Sequence, residues 1–418
     1  MKHIKTKKVR TINQKTLIVA IDIGKRVHHG YFRGPDNRDV EPFAFHNRSH
    51  SFKDFWKKLC QFRTEHCLES IVIGFESTGP YAEPLLHYLR RKPVKLVQVN
   101  PLHTRKVKEL SGNSPNKTDK KDPRVIADII SLGHALTVVI PEGPAAQLRR
   151  LTQARERAIK DRMAVLSQLQ HLVFVIFPEL LSVISSRTKS AMYLIKNHTT
   201  PESIFALGLE SLARILKKVS RGKLGHKRAK ELFEAALNSI GIYEGKEAII
   251  LEIDHLVSRI EIENRFIDNL EKEMAYYLRQ IPYSASLLSI KGIGEITVAG
   301  LIGEVGDFRE FETISEVMKL AGLDLFEVSS GQHKGQHHIS KRGRSLMRKL
   351  LFFAALNTVR SGGIMHVRYQ QMLDRGMPKV KALTAISRKL LGIMFALARD
   401  NVEYIENYGQ THDFQLAA

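Results

Sequence analysis

From Leu17 to Leu110 the chain alternates strand-like and helix-like stretches in an order that few folds accept. LIVAIDIG (Leu17 to Gly24) is a β-rich run too apolar for a sheet edge, and HHGYFRG and VEPFAFHN follow it across a turn at Pro35 to Arg38. Three strands in direct succession predict an antiparallel meander. Phe52 to His66 then reads as an amphipathic helix, Ser70 to Ser77 (SIVIGFES) as a buried strand and Tyr81 to Arg91 as a helix. Val94 to Asn100 (VKLVQVN) is a further buried strand, and Pro101 to Leu110 is helical. The order βββαβαβα is that of the ribonuclease H-like fold.

This order has a chemical consequence. Asp22 ends the first strand and Glu76 the fourth, each among apolar neighbours where an uncompensated carboxylate is costly. In a ribonuclease H-like sheet those strand ends are adjacent. Asn116 to Ile130 (NKTDKKDPRVIADII) adds Asp119 and Asp122, three apart and on one face if the segment is helical; Asp128 falls on another face. Singly, Asp22 and Glu76 read as strand-end turn residues, Asp119 as a helix cap and Asp122 as a solvated charge. Four carboxylates in one pocket would repel one another, and a pair of Mg2+ ions resolves that repulsion while activating a phosphodiester for attack.

Past residue 145 the pattern lengthens. Leu148, Leu151, Ala158, Val165, Leu169, Leu172 and Ile176 recur at alternating three and four, and Ile253, Leu256, Ile260, Ile267, Leu270, Met274, Tyr277 and Ile281 do so more cleanly. These heptads imply an antiparallel helical hairpin, an oligomerising coiled coil or ordinary bundle packing, with less regular helices between them. Leu287 to Asp307 (LLSIKGIGEITVAGLIGEVGD) places Gly292 and Gly294 in a tight turn between two short apolar helices, resembling a helix-hairpin-helix whose amides hold a backbone phosphate. A glycine-mediated packing turn is the plain alternative. Pro378 to Arg399 reads as a closing amphipathic helix.

Charge narrows the partner. The net charge of +22 and pI near 9.9 fit a phosphate-rich ligand, nucleic acid before acidic membrane. No apolar run reaches the roughly 18 residues that span a bilayer, and the cationic start leads into no signal-peptide core. The expectation is a cytoplasmic protein with no membrane partner. Cys60 and Cys67 lack metal-ligand spacing, which predicts neither zinc nor disulfide. Residues 1–16 carry six cations and no acid, either an arm that touches nucleic acid or a solubilising tail.

Between Glu327 and Asp374 no acidic residue occurs. Val328 to Gly343 (VSSGQHKGQHHISKRG) opens that stretch with a Ser-Ser-Gly turn and continues with Lys334, Lys341 and Arg342, and Arg344 follows directly. Apolar Leu346 to Val359 comes next and would anchor the loop, so these cations are candidate phosphate contacts rather than a solvated face. Ser330 could face a phosphate, but a hydroxyl needs a base or a metal-activated environment to attack phosphorus. His333, His337 and His338 stand open between phosphate contact and proton transfer.

With these residues in place, the chain resembles the DEDD transposases of the IS110 insertion-sequence family over nearly its whole length. The resemblance rests on AIDIGK at Asp22, GFESTGPY at Glu76, NKTDKKDPRVIAD at Asp119 and Asp122, GIGEITVAGLIGEVGDF, AGLDLFEVSSGQHKGQHHISKRG and ALTAISRKLLGIMFALAR, in that order. It implies a RuvC-like DEDD domain over 17–140 after the arm of 1–16, a helical coiled-coil domain over 145–282 and a helical C-terminal transposase domain over 283–410. Asp22, Glu76, Asp119 and Asp122 would bind Mg2+, and Ser330, before Gly331, would be the catalytic serine, with Ser329 competing. Asp324 and Leu325 stand where the family more often has x-Pro after Gly-Leu. The resemblance also implies donor and target DNA as substrates, a noncoding bridge RNA that specifies both, and a homo-oligomer, dimer or tetramer. The residues show no zinc finger and no clear helix-turn-helix, so recognition delegated to RNA would account for the missing sequence reader.

Overall fold

Leu17, Val19 and Ile21 face one side of β1 (Thr16–Asp22) and Ile18 and Ala20 the other, and all five are buried. A strand apolar on both faces belongs in the middle of a sheet covered on both sides. The computed structural model describes residues 12–35, 39–76, 79–111, 121–138, 140–327 and 337–406. The chain divides into two compact units, Met1–Val139 and Ile140–Ala418.

In the first unit β1 is followed by β2 (Val27–Arg33), β3 (Asp39–His46), α1 (Ser49–Glu65), β4 (Ser70–Glu76), α2 (Glu83–Leu89), β5 (Lys95–Val99), α3 (Pro101–Ser111), α4 (Lys121–Ser131) and the two-residue β6 (Leu136–Thr137). The sheet order is β3-β2-β1-β4-β5-β6. β1, β2 and β3 form the antiparallel meander, β4 and β5 run parallel to β1, and β6 closes the edge antiparallel. Phe52, Phe55 and Leu59 of α1 and Leu85 and Leu89 of α2 cover the face of Leu17, Val19 and Ile21. Val125, Ile126, Ile129 and Ile130 of α4 cover the face of Ile18 and Ala20. Burying each such aliphatic side chain is worth about 1.5–3 kcal/mol, an upper figure for a chain already partly collapsed when unfolded.

The second unit is helical. α5 (Gly143–Ile176) and α11 (Lys246–Leu278) form a long antiparallel pair, with Arg155 bound to Glu271 at 2.6 Å and Arg162 to Asn264 at 2.8 Å. The heptad runs thus pair with each other inside one chain, and those two polar layers sit on the seam, where they fix register. Between them lie α6 (Pro178–Val183), α7 (Lys189–Asn197), α8 (Pro201–Leu207), α9 (Leu209–Val219) and α10 (His226–Leu237), packed on the distal half of the hairpin around Leu169, Leu194, Leu212 and Leu232. After α11 come α12 (Ser284–Leu288), α13 (Glu295–Val305), α14 (Ile314–Ala321), β7 (Leu325–Glu327), β8 (His337–Ile339), α15 (Ser345–Thr358), α16 (His366–Asp374) and α17 (Lys379–Asp400). Their core takes in Leu148 from α5 and Met274 from α11. The hairpin therefore lends one end to each core, and the stretches either side of residue 282 fold as a single compact unit. A Cβ on Gly303 would stand 2.7 Å from the backbone nitrogen of Arg149, which shows how closely α13 crosses α5. Among the described residues no helix is long and apolar enough to cross a membrane.

Candidate active site

The register of β1 against β4 pairs Ile21 with Phe75, so the next residues, Asp22 and Glu76, end neighbouring parallel strands. Both are half-buried. A third acid arrives on α4. Pro123 sits in the first turn of that helix, where its missing N–H forfeits no intrahelical bond, and the apolar face from Val125 to Ile130 lays the helix on the sheet. Gly74 sets the approach: a Cβ there would lie 2.3 Å from Cδ1 of Ile130. Asp122 consequently stands in the first turn of α4, 9% exposed, where the helix dipole favours a carboxylate.

The fourth contributor is a cation that sequence reasoning missed. Lys108 of α3 places Nζ 2.6 Å from Oδ1 of Asp122. Burial pushes the Glu76 carboxyl up, the Lys108 charge pulls it down, Asp22 and Asp122 push it up again, and a hydrogen bond with Thr104 lowers it. Asp22, Glu76 and Asp122, from three distant stretches, therefore act on one another through space around one lysine. Thr104, 2% exposed, and Lys108 are four apart and share the inner face of α3. That spacing was the one signal in the sequence that could have found them. Asp128 is used elsewhere, 2.6 Å from Nη1 of Arg33 on β2. Asp119 lies outside the described residues. Among the described residues no three His, Cys, Asp or Glu side chains stand close enough to hold a metal ion.

In the second unit, Ser329, Ser330, His333 and Lys334 lie outside the described residues, but the frame that carries them is described. β7 and β8 form an antiparallel hairpin with Leu325 opposite Ile339 and Glu327 opposite His337, so Ser330 belongs to the connection between two strands. The hairpin base is pinned. Ser340 donates its backbone N–H to the Asp324 carbonyl at 2.9 Å and its hydroxyl to the Asp324 carboxylate at 2.5 Å. Arg348 donates to the carbonyls of Ala321 and Gly343 at 2.9 and 3.0 Å. A Cβ on Gly343 would come within 2.4 Å of the Gly322 nitrogen, so the two chain segments touch backbone to backbone. Asp324, the departure from the commoner motif, is thus the residue that ties the hairpin shut.

The cations divide. Lys341 and Arg342 are exposed, Lys341 with φ 55° and its N–H donated to the Gly322 carbonyl at 3.0 Å. Arg344, grouped with them in the sequence, turns inward instead. Its guanidinium donates to the Glu304 carbonyl and lies 3.8 Å from the Glu304 carboxylate, which is itself 5% exposed. Burial, together with nearby Arg149, pushes it down to about 10 against the pull of Glu304. A side chain that satisfies a buried acid has little left for a phosphate. His337 lies 3.8 Å from Glu327 across the hairpin, and the His338 ring packs against Phe326. Gly292 has φ 92° and is exposed, as is Gly294, the N-terminal cap of α13; Glu295 places a negative charge in the first turn of that helix.

Two family models match the chain. One, a transposase model of the DEDD and IS110 kind, covers residues 19–178, and one described as transposase IS116/IS110/IS902 family covers residues 284–370. The first span holds Asp22, Glu76, Asp119 and Asp122; the second holds Gly292, Ser330 and the hairpin. An uncharacterized 43.6 kDa protein of insertion element IS110 from Streptomyces coelicolor is 23% identical over 393 residues, 93% of this chain and 95% of that protein. An uncharacterized 44.8 kDa protein of insertion element IS116 from Streptomyces clavuligerus is 25% identical over 300 residues, 71% and 75% of the two chains. A pilin gene-inverting protein of Moraxella lacunata is 34% identical over 132 residues, 29% and 39% of the two chains.

Proposed function

The chain belongs to the IS110 family of insertion-element transposases and is a DNA transposase, and from that premise we propose that it is a Mg2+-dependent recombinase with a serine nucleophile. The observation that carries the reading is the convergence of Asp22, Glu76 and Asp122 at the ends of two adjacent parallel strands and one helix. The strand order β3-β2-β1-β4-β5 supports a ribonuclease H-like, RuvC-like domain.

Carboxylate oxygens are the donor class a hard cation takes, but the described acids alone do not stand close enough to hold one, and a lysine ammonium lies on Asp122. Asp22, Glu76 and Asp122, joined by Asp119, would hold it. A bound ion would supply charge neutralisation at a scissile phosphate and at its leaving oxygen. Ser330 Oγ then attacks phosphorus. The P–O bond to one sugar breaks, the proton lost by the serine hydroxyl is made up on that oxygen, which leaves as a hydroxyl, and a phosphoserine ester remains. Attack by a hydroxyl of another strand reverses these steps, returns the serine and joins the new pair, so each phosphodiester is conserved without an outside energy source. The hairpin whose connection carries Ser330 is pinned at its base through Asp324 and Gly343. Lys341 and Arg342, both exposed, would contact backbone phosphates, with Lys334 and the turn at Gly292 and Gly294 as further contacts. A bridge RNA supplies the sequence reading of donor and target DNA, and two or four copies handle the two duplexes.

Incubation with cleavable DNA and Mg2+ followed by denaturation tests this. Wild-type protein should leave a DNA-linked band that Ser330→Ala abolishes and Ser329→Ala retains, while Asp22→Ala forms none. Cleavage without any adduct would instead mark a nuclease that uses water. Sequencing the RNA that copurifies with the protein tests the guide.

A further inference from the structure

Between Glu210 and Glu231 no acidic residue occurs, and this stretch closes α9 and opens α10. Lys217, Lys218, Arg221, Lys223 and Lys227 are exposed there, and none of them has an acidic partner among the described residues. Other cations of the same helical module are paired: Lys196 with Glu261 at 2.6 Å, Arg228 with Glu231 at 2.5 Å and Lys246 with Glu202 at 3.6 Å. The fold holds the unpaired charges together. Leu212 and Leu216 of α9 and Ala229 and Leu232 of α10 enter the distal core, which leaves the cations outside it. The turn between the helices is fixed: Gly222, at φ 81°, donates its N–H to the Lys217 carbonyl at 2.8 Å, and Leu224 donates to the Ser220 hydroxyl at 2.8 Å. Lys217 and Lys218 stand in the last turn of α9, where the helix dipole favours a cation, but Lys227 stands in the first turn of α10, where it does not. Local structure thus accounts for only part of this charge. Like charges on a fixed turn repel one another, and a polyanion relieves that repulsion.

We propose that the turn joining α9 and α10 is a further DNA-binding surface, which holds the phosphate backbone of duplex DNA at a distance from the residues that exchange strands. The inference rests on the chain acting on DNA as a transposase. Two features choose a duplex over looped or single-stranded nucleic acid. No Phe, Tyr or Trp occurs between Glu210 and Glu231, so nothing there stacks on an unpaired base. The distal core also stands well away from the core that carries the hairpin of β7 and β8: Leu148 in one and Leu169 in the other are about 30 Å apart along α5, at 1.5 Å per residue. Duplex DNA, stiff over roughly 150 base pairs, spans such a distance unbent. Because the contacts go to phosphates, the surface anchors DNA without choosing its sequence.

Full-length Lys223→Gln/Lys227→Gln, titrated with fluorescent duplex DNA of arbitrary sequence, should bind about tenfold weaker than wild type at about 100 mM salt. The slope of its log affinity against log salt should shrink by about 2, one for each phosphate contact removed. Lys223→Arg/Lys227→Arg, which keeps both charges, should restore affinity and slope. Arg187→Gln/Lys189→Gln, which removes two exposed charges from the same module, should bind like wild type. An unchanged slope for Lys223→Gln/Lys227→Gln overturns the proposal, and so does an equal loss in Arg187→Gln/Lys189→Gln. A loss confined to RNA that copurifies with the protein, with duplex DNA bound as before, overturns it as well. The DNA-linked adduct at Ser330 is a separate readout: its absence from wild type would sink the serine mechanism and leave the affinities to decide this surface. Wild type that binds no duplex DNA would sink both.

Discussion

At the scale of single residues, buried polar groups decide how the first unit responds to pH. His28 is fully buried on β2 between Phe45 and Phe52, and neither ring nitrogen has a hydrogen-bond partner. Burial pushes its imidazole down; Asn47 opposes this but faces it without a well-formed bond, so burial governs. Because the folded-state value lies below the ordinary one, stability is intact above the unfolded pKa near 6.5 and falls as the pH drops below it, by up to about 1.4 kcal/mol per pH unit. Thermal melts of wild type should therefore lose midpoint between pH 7 and pH 5, and His28→Leu should lose less. Equal losses would remove His28 as the cause. Gly74 is a second such position. Gly74→Val would drive its methyls into Ile130 and Val97, lift α4 and draw Asp122 away from Glu76. The expected cost is about 1–3 kcal/mol in denaturant unfolding, with strand cleavage falling further than stability explains.

At the scale of elements, the hairpin of β7 and β8 and the pair of α5 and α11 do different work. The short strands expose Leu325, Phe326, His337 and His338, so little apolar burial holds the hairpin, and its position depends on the bonds at its base. Asp324→Ala removes the acceptor for the Ser340 hydroxyl. Global stability should drop by about 1 kcal/mol or less, whereas adduct formation at Ser330 should fall severalfold and Mn2+ binding should not change. Equal adduct yield would show that the hairpin needs no such tie. The long helices are secured by buried, mostly apolar residues between Leu148 and Ile176 against Ile253 to Leu278, interrupted by polar pairs. The sequence left open whether those heptads meet within one chain or between chains. Their polar layers answer it: Arg155 with Glu271 and Arg162 with Asn264 are satisfied inside the chain.

At the scale of the whole molecule, the net charge of +22 sets the conditions under which it binds nucleic acid. If binding neutralises roughly 6–10 phosphates, affinity should fall by about 10³–10⁵ between 50 and 200 mM salt, read as the slope of log affinity against log salt. A flat slope would remove the phosphate backbone as the main partner. Much of this protein was legible beforehand because it is written in local pattern. Short β-rich runs bounded by turn residues gave β1 to β5, alternating three and four spacing gave α5 and α11, and the carboxylates that end β1 and β4 stood out because acids are rare in apolar runs. Three features were not legible. β6 is two residues long, too short to show a period; the strands flanking Ser330, three residues each, are too short to read as strands; and Arg344, alike in sequence to Lys341 and Arg342, is set apart by Glu304, forty residues away. The sequence alone determined the order of the elements and the placing of acids at strand ends, since both depend on neighbours along the chain. Only the tertiary structure decided that Lys108 would lie on Asp122 and that Arg344 would turn inward. A charge takes its partner from whatever packing brings within a few ångströms, and no periodicity encodes that distance.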